Sequence, residues 1–484
     1  MYFLTLLDEC AFDFVEDFLN KSIKKLLIMK KILFVSALLV SLIFLSFKKN
    51  QSGVTLKEVV VKAPFEMPSI KIPDFTNCKE YSIVDFGAIK GNKDKISDAI
   101  NKAITKANKA GGGIVVIPEG EWITKKIHFK SNVNLHLKKG AVLLFSEDPN
   151  DYLPAVSSTW EGYECYNYSP LVYAYQCKNI AITGEGELKA KMDIWKEWFK
   201  RPKGHMESLK RLYYLASYNK PLKERQMVND SAHFRPQFIQ FNRCENIVMD
   251  GVTITNSPFW TIHPFLSKDV VLRNLKVYAH GHNNDGVDPE MSQNVLIENC
   301  VFDQGDDAIA IKSGSNQDAW RLNTPSKNVV MRNCIVKNGH QLVAIGSELS
   351  GGIENVFIDN CTVVDGAKLN HLLFIKTNER RGGYVNNIYM SNITCGKIDE
   401  GILGIETDVM YQWRNLVPTI ERKLTPIKNV YLENIKATNV KFISRILAQK
   451  ELPVENVFLK NIKAENVSGE KDIHENVVNF ERKD

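Results

Sequence analysis

No Cys-x-x-Cys pair occurs in this chain of 484 residues, and its nine cysteines are an odd number. Neither a disulfide framework nor a metal site is therefore indicated. Glycine (28) and proline (17) are too sparse for a collagen or a low-complexity polymer. Charge of one sign is also lacking. Sixty-two Lys and Arg against 56 Asp and Glu leave +6. Residues 1–50 hold seven Lys and five acids, so only +4 belongs to the rest. That falls far short of a nucleic-acid-binding chain; it suits an acidic substrate without implying one. Apolar content of 44% and charged content of 24% are ordinary for a folded protein, which excludes a disordered chain or a many-span membrane protein.

Long hydrophobic runs are scarce as well. One run of 16 residues extends from Ile32 to Phe47, broken by Ser36, Ser41 and Ser46. A bilayer span needs roughly 17–25 apolar residues. Lys30-Lys31 precede the run and Lys48-Lys49 follow it, and Met29 is a candidate true start. A charged start followed by a short apolar stretch fits an export signal. No Ala-x-Ala site and no lipoprotein cysteine follow, which keeps an uncleaved membrane anchor as the alternative reading of residues 1–50. A buried helix of a cytosolic protein would not need lysine pairs at both ends. The expected location is therefore periplasmic, cell-surface or secreted, with residues 51–78 as a linker.

What is abundant is a repeat. Asn or Asp, alternating apolar residues and often a second Asn recur as NIVMDGV from Asn246, DVVLRNL from Asp269 and NVLIENC from Asn294. The series continues from Asn328, Asn355, Asn387, Asn429 and Asn456, at intervals of 23, 25, 34, 27, 32, 42 and 27 residues. Period-two alternation marks strands with one buried face, and strands recurring at this interval mark a solenoid. The apolar period excludes helical repeats, and the Leu-x-x-Leu-x-Leu frame of leucine-rich repeats is absent. The architecture that fits is all-β: a single-stranded right-handed parallel β-helix over residues 79–470, with a tail at 471–484. Asn at turns tolerates left-handed backbone and can hydrogen-bond along a stack. Cys300, Cys334 and Cys361 occupy the same place in the phrase, so they are expected to stack in the core.

Two interruptions are legible. Tyr81 to Ala88 reads as a strand ending in a turn, and Ser97 to Ala110 as an amphipathic helix with Ala99, Ile100, Ala103, Ile104 and Ala107 on one face. Gly111 to Gly113 ends it, and this helix is expected to cap the solenoid. Residues 189–234 break the rhythm. Trp195, Trp198, Phe199, Leu209, Leu212 and Tyr213 lie at helical spacings, so a helical insertion is expected, either packed onto the solenoid or closing over sugar rings.

Stacked coils bring corresponding loops together. Asp285 lies 21 and 22 residues before Asp306 and Asp307, close to one coil. His340 follows Asn328 by the same twelve residues that separate Asp306 from Asn294, and Lys376 lies one coil further. Three carboxylates, an imidazole and an ammonium are thereby expected in one cleft. Glycosidic hydrolysis needs that set: one protonated carboxyl for the leaving oxygen, and one carboxylate to activate water or attack the sugar. Crowded carboxylates raise one another's proton affinity, so both states coexist.

At these residues the sequence resembles glycoside hydrolase family 28, the polygalacturonases and related pectin-cleaving enzymes, over roughly Tyr81 to Val467. NNDGVD from Asn283 is similar to the family's Asn-Thr-Asp-Gly motif, and QGDDAIAIKSG from Gln304 to its Gly-Asp-Asp motif. SPFWTIHP from Ser257, GSELSGG from Gly346 and DFGA from Asp85 also resemble family signatures. The resemblance implies a right-handed β-helix and an inverting O-glycosidase acting on galacturonic-acid-containing pectic chains. It implies Asp306 as general acid, Asp285 and Asp307 as the water-activating pair, and His340 as tuning the acid. Lys376 is implied as the substrate-carboxylate contact, with Asn283, Lys312, Trp260, His263 and Glu348 as further substrate-binding candidates. No cofactor or metal is expected, and a monomer is. Two departures stand out: Gln341 where the family has Gly after the His, and Phe374 where it has Arg two residues before the Lys. Phe cannot grip a carboxylate bidentately. The insertion resembles those of exo-acting relatives, so exo action is expected. The alternatives are a polysaccharide lyase, against which the paired Asp306-Asp307 argues, and a non-catalytic glycan-binding solenoid.

Overall fold

The computed structural model describes residues 53–229, 231–410, 416–418 and 420–484, with a few positions between 19 and 36. Residues 1–52 and 53–484 form separate units. The apolar run at 32–47 lies outside the described residues except for Ser36. No helix among the described residues is long and apolar enough to cross a membrane.

The repeat phrase folds as its alternation dictates. In Asn294 to Cys300, Val295 and Ile297 point inward and are fully buried. They align in parallel with Val270 and Leu272 on the preceding coil and Val329 and Met331 on the next. Repetition of this register builds one 21-stranded sheet along the solenoid. A second wall consists of four strands ending at Ile262–Phe265 and six beginning at Ile309–Ile311. Between them the coil at 285–290 contributes only single-residue bridges, Ile262 to Val287 to Ile309 and Phe265 to Glu290 to Lys312. The aspartates named above sit at that junction. The fold is thus the expected right-handed parallel β-helix.

Two ladders of side-chain amides hold the coils in step. Asn294, Asn328, Asn355 and Asn387 all have left-handed backbone. Each Nδ2 donates to the residue one coil earlier: Asn294 to Asp269 at 2.8 Å, Asn328 to Asn294 at 3.0 Å and Asn355 to Asn328 at 3.0 Å. Five residues further along each phrase a second ladder runs through Asn299, Asn333 and Asn360. Asn serves both needs, since it accepts a left-handed turn and its amide both donates and accepts. Cys300, Cys334 and Cys361 follow the second ladder into the core at 1% exposure each. They are free thiols; burial pushes the Cys334 thiol well above its ordinary range.

Helix α1 (Lys93–Lys109) closes the amino-terminal end. It begins four residues before the expected Ser97 because the Asn92 side chain caps it, accepting from the Lys95 amide. Ile96, Ala99, Ile100, Ala103, Ile104 and Ala107 bury against the first coils. The segment expected as a strand ending in a turn at 81–88 is strand to Ser82 and then a 3-10 turn ending at Gly87. Residues 51–78, expected as a linker, contain an antiparallel hairpin of Thr55–Val59 and Ile70–Asp74. Its Ile70 and Ile72 cover Ala181, Val248, Val271 and Leu296 on the outer face of the long sheet. That cover explains why an outward residue such as Leu296 is apolar. The tail at 471–484 supplies the strands Asp472–Glu475 and Val477–Lys483.

The insertion is helical: α2 (Asp193–Trp198) and α3 (Lys203–Ser217). Trp195, Leu209, Leu212 and Tyr213 are buried, so most of its apolar residues serve packing. Asn328→Ala is expected to lower unfolding stability by about 1–3 kcal/mol, combining left-handed strain with loss of the ladder amide. Asn328→Gly, which relieves the strain, is expected to cost less; chemical denaturation of both variants measures the difference.

Candidate active site

The register converts sequence spacing into contact. Because Val287 bridges Ile262 and Ile309, and Ile309 pairs with Val343, Asp285, Asp307 and Gln341 lie in one column across three coils. The Gly286 amide donates to the Asp307 carbonyl at 3.0 Å, and the His340 amide to the Asp306 carbonyl at 2.9 Å. Glycine is required for this close approach: a Cβ on Gly286 would lie 2.5 Å from the Ala308 carbonyl oxygen.

The result is a cavity of about 280 Å³ into which Asp285, Asp306, Asp307, His340 and Lys376 all project. Asn283, Lys312, Trp260 and Glu348 line it too. His263 does not. Its side chain is fully buried, with Nε2 2.8 Å from Glu290 and Nδ1 3.1 Å from Gln240. The Ser-Pro-Phe-Trp-Thr-Ile-His phrase therefore contributes Trp260 to the cavity wall, while His263 sits beneath it.

The charges are arranged in pairs. Asp306 Oδ1 lies 3.0 Å from His340 Nδ1. Burial pushes the Asp306 carboxyl up, but the hydrogen bond and charge of His340 outweigh it and hold it below its ordinary value. The same hydrogen bond raises His340 to about 9. Asp285 is driven well above the usual carboxylate range by burial and by the charge of Asp306, against the pull of Lys312 at 3.7 Å. Behind it the fully buried Asp288 is raised likewise, by burial and by Asp285. Asp307 is raised by burial despite Lys376 Nζ at 3.4 Å. Burial works against the Lys312 ammonium, yet Glu348 at 3.1 Å and the two aspartates keep it well above its ordinary value. Its Nζ also lies 4.6 Å from the Trp260 ring centroid, a cation–π distance. Asp306, Asp307 and His340 each offer a ligand atom within 4.8 Å of the others. The positive charge facing these carboxylates, however, comes from the protein's own imidazolium and ammonium groups.

Sequence reasoning missed four cavity residues: Glu161, Arg201, His282 and Ser347. Arg201 comes from the insertion, between α2 and α3. Its Nη2 donates to Asn283 Oδ1 at 3.2 Å, and the fully buried Arg235 donates to the same oxygen at 3.0 Å. Arg235 Nη1 also donates to the His282 carbonyl at 2.6 Å, which fixes the loop leading to Asp285. No spacing rule connects positions 161 and 201 to the repeat. The only local signal was Gly162, a turn residue between two short strand-like runs.

The two departures from the family pattern are joined. Gln341 Oε1 is 3.1 Å from His371 Nδ1, and the His371 ring stacks on Phe374 at 4.6 Å and 8°. Gln341 thus sits on an outward strand position, and an aromatic stack occupies the place of the Arg.

Carboxylates brought together by successive coils of a right-handed β-helix, beside an imidazolium and two lysines, define a glycoside-hydrolase type of site. The chain belongs to the Glycosyl hydrolases family 28, whose profile matches residues 221–482. A hyperthermoactive exopolygalacturonase from Thermotoga maritima has a similar structure, with a TM-score of 0.78 and 35% identity, covering 86% of this chain and 92% of that one. A probable polygalacturonase of Vitis vinifera is 26% identical over 331 residues, covering 66% of this chain and 61% of that protein. The exo-poly-alpha-D-galacturonosidase of Dickeya chrysanthemi is 27% identical over 313 residues, 58% of this chain and 50% of that protein. The chain therefore spans 61% and 50% of the lengths of these two curated relatives.

The His340 shift carries a sign. Its folded value lies above the ordinary 6.5, so the bond to Asp306 stabilises the fold fully below about 6.5 and is lost as pH rises through about 9. In a ring-proton NMR titration, Asp306→Asn is expected to return His340 towards 6.5. An unchanged midpoint would show that Asp306 is not the cause.

Proposed function

We propose that this protein is an exported hydrolase that cleaves α-glycosidic bonds of galacturonic-acid-containing pectic chains, from a chain end and with inversion. The observation that carries the reading is the shape of the cleft around the aspartates. On the amino-terminal side, the surface where a glycan would continue is sealed. Gln237, Gln240, Asn242 and His263 face that way and are fully buried. A hairpin of Val156–Trp160 and Tyr163–Asn167 covers this row. Ser158 Oγ donates to Gln240 at 3.1 Å, Gln237 Nε2 to the Thr159 carbonyl at 3.0 Å and Asn242 Nδ2 to the Ser157 carbonyl at 3.1 Å. On the carboxyl-terminal side Lys376, Glu406 and Arg445 remain partly exposed on successive strands. A cleft open at one end admits a chain end and stops it.

In the reaction the bond between the anomeric carbon and the leaving oxygen breaks, and a water oxygen takes its place. The His340–Asp306 pair holds one transferable proton, shared along its hydrogen bond, and Asp306 delivers it to the leaving oxygen. The water's proton passes to Asp307 or Asp285, whose raised proton affinity suits them to receive it. Lys376, beside Asp307, meets a uronate carboxylate on the open side. Activity is expected to fall on the acid side as these two aspartates fill with protons, at a pH above their ordinary value. On the basic side it falls as the pair loses its proton near 9.

Asp306→Asn is expected to retain oligosaccharide binding and lose at least about 10²–10⁴-fold in hydrolysis. A digest of a pectic oligosaccharide panel, read by product mass and anomeric form, tests substrate, end preference and inversion together. Products released from internal bonds would overturn the chain-end reading, and an unsaturated, ultraviolet-absorbing product would mark a lyase instead. His340→Gln is expected to move the basic limb of the pH–rate profile to lower pH, because Asp306 alone then holds the proton.

A further inference from the structure

The sealed end of the cleft presents two charged side chains that the reaction leaves unused, and both stand on costly backbone. Glu161 has φ of 46° at the tip of the Val156–Trp160 and Tyr163–Asn167 hairpin, and Arg201 has φ of 47° between α2 and α3. Elsewhere in the described chain this left-handed backbone falls mostly to asparagine. A long charged residue there is strained, and such strain concentrates at ligand-binding positions.

Both residues are held in place. Tyr213 of α3 donates to Glu161 Oε2 at 2.9 Å. Ser315 pins the hairpin tip, its Oγ donating to the Glu161 carbonyl at 3.0 Å and its amide to the Gly162 carbonyl at 3.0 Å. A Cβ on Gly162 would meet Ser315 Oγ at 2.5 Å, so the tip packs closely on Ser315. Glu161 Oε1 lies 3.6 Å from Arg201 Nη2, and both residues line the catalytic cavity. They lie outside residues 221–482, the part matched by the family profile. The cavity's other cations each stand against acids nearer the reacting groups, Lys312 against Asp285 and Lys376 against Asp307.

We propose that Glu161 and Arg201 form a subsite for the non-reducing terminal uronate: Glu161 accepts a hydrogen bond from its free 4-hydroxyl, and Arg201 binds its carboxylate. This rests on the hydrolase reading above. The acid pair Asp306–His340 lies on the later coils, towards Lys376, so the leaving, reducing-end portion extends to the open side. The sugar that remains against Glu161 and Arg201 is then the glycone. A 4-hydroxyl is free only at the chain end; on every internal sugar that oxygen is already in a glycosidic bond. The subsite therefore reads the end itself. Arg201 supplies on the closed side a guanidinium that Phe374 has removed from the open side.

Calorimetric binding to full-length protein carrying Asp306→Asn tests this without turnover. The probes are tri-galacturonate and the matched trimer with a 4,5-unsaturated terminal residue, which lacks that hydroxyl and keeps its carboxylate. The saturated trimer is expected to bind roughly tenfold to a hundredfold more tightly. Adding Glu161→Asn, whose side chain tolerates the left-handed turn, is expected to reduce that preference to within about threefold. Adding Arg201→Asn, tolerated for the same reason, is expected to weaken both trimers. Equal binding of the two trimers, preference that survives Glu161→Asn, or binding of neither trimer overturns the subsite. Wild-type cleavage of pectic oligosaccharide alongside such a result leaves the hydrolase reading standing; absence of cleavage removes that reading separately.

Discussion

The solenoid depends on one constraint: each coil must lie in register on the one before, through parallel backbone pairing reinforced by the asparagine ladders. Side chains on a strand alternate with period two, so a slip of one residue would turn every inward apolar group to solvent. It would also turn Asp285, Asp307 and Gln341 out of their shared column. The ladders oppose this at two points per coil, five residues apart, with amides that bond mostly to their counterparts one coil earlier. Stability and catalytic geometry are therefore set by the same contacts. The thin point is the coil at 285–290, where pairing narrows to Val287 and Glu290. There the chain trades sheet continuity for carboxylates that turn into the cleft.

The charge arrangement follows from burial. A carboxylate taken out of water is costly unless it is paired, protonated or both. Asp306 is paired with an imidazolium, Asp307 with Lys376, and Asp285 and Asp288 face Lys312 from the same side. One fold thus produces different proton affinities from identical side chains a few ångströms apart. The aspartate with the lowest affinity is the one whose partner stores a proton for it.

Much of this was legible in the sequence. The phrase beginning at Asn294 carries its own strand, its turn asparagines and its core cysteine, and its recurrence determines the coil. Once coils stack, the intervals from Asp285 to Lys376 become distances, and five site residues follow. What did not follow were features that answer to no repeat. Arg201 and Glu161 reach the cavity from a helical insertion and a hairpin tip whose placement depends on tertiary packing by Tyr213, Ser315 and Asn283. His263 carried the wrong expectation because strand alternation says which face a residue occupies, not whether that face is covered. Here the hairpin at 156–167 covers it. Residues 51–78 failed for a similar reason: polar and apolar residues on a short hairpin look like a linker until the apolar patch beneath is seen.

The sealed end of the cleft has a consequence at the scale of the polymer. An enzyme that meets its substrate only at a terminus leaves the number of polymer termini unchanged with every cut, because each shortened chain presents a new one in place of the old. On the proposed reading, the rate follows how many molecules are present, whatever their length. Small sugars would accumulate while a pectic solution kept most of its viscosity, and a partner that cuts internally would multiply the sites at which this enzyme works.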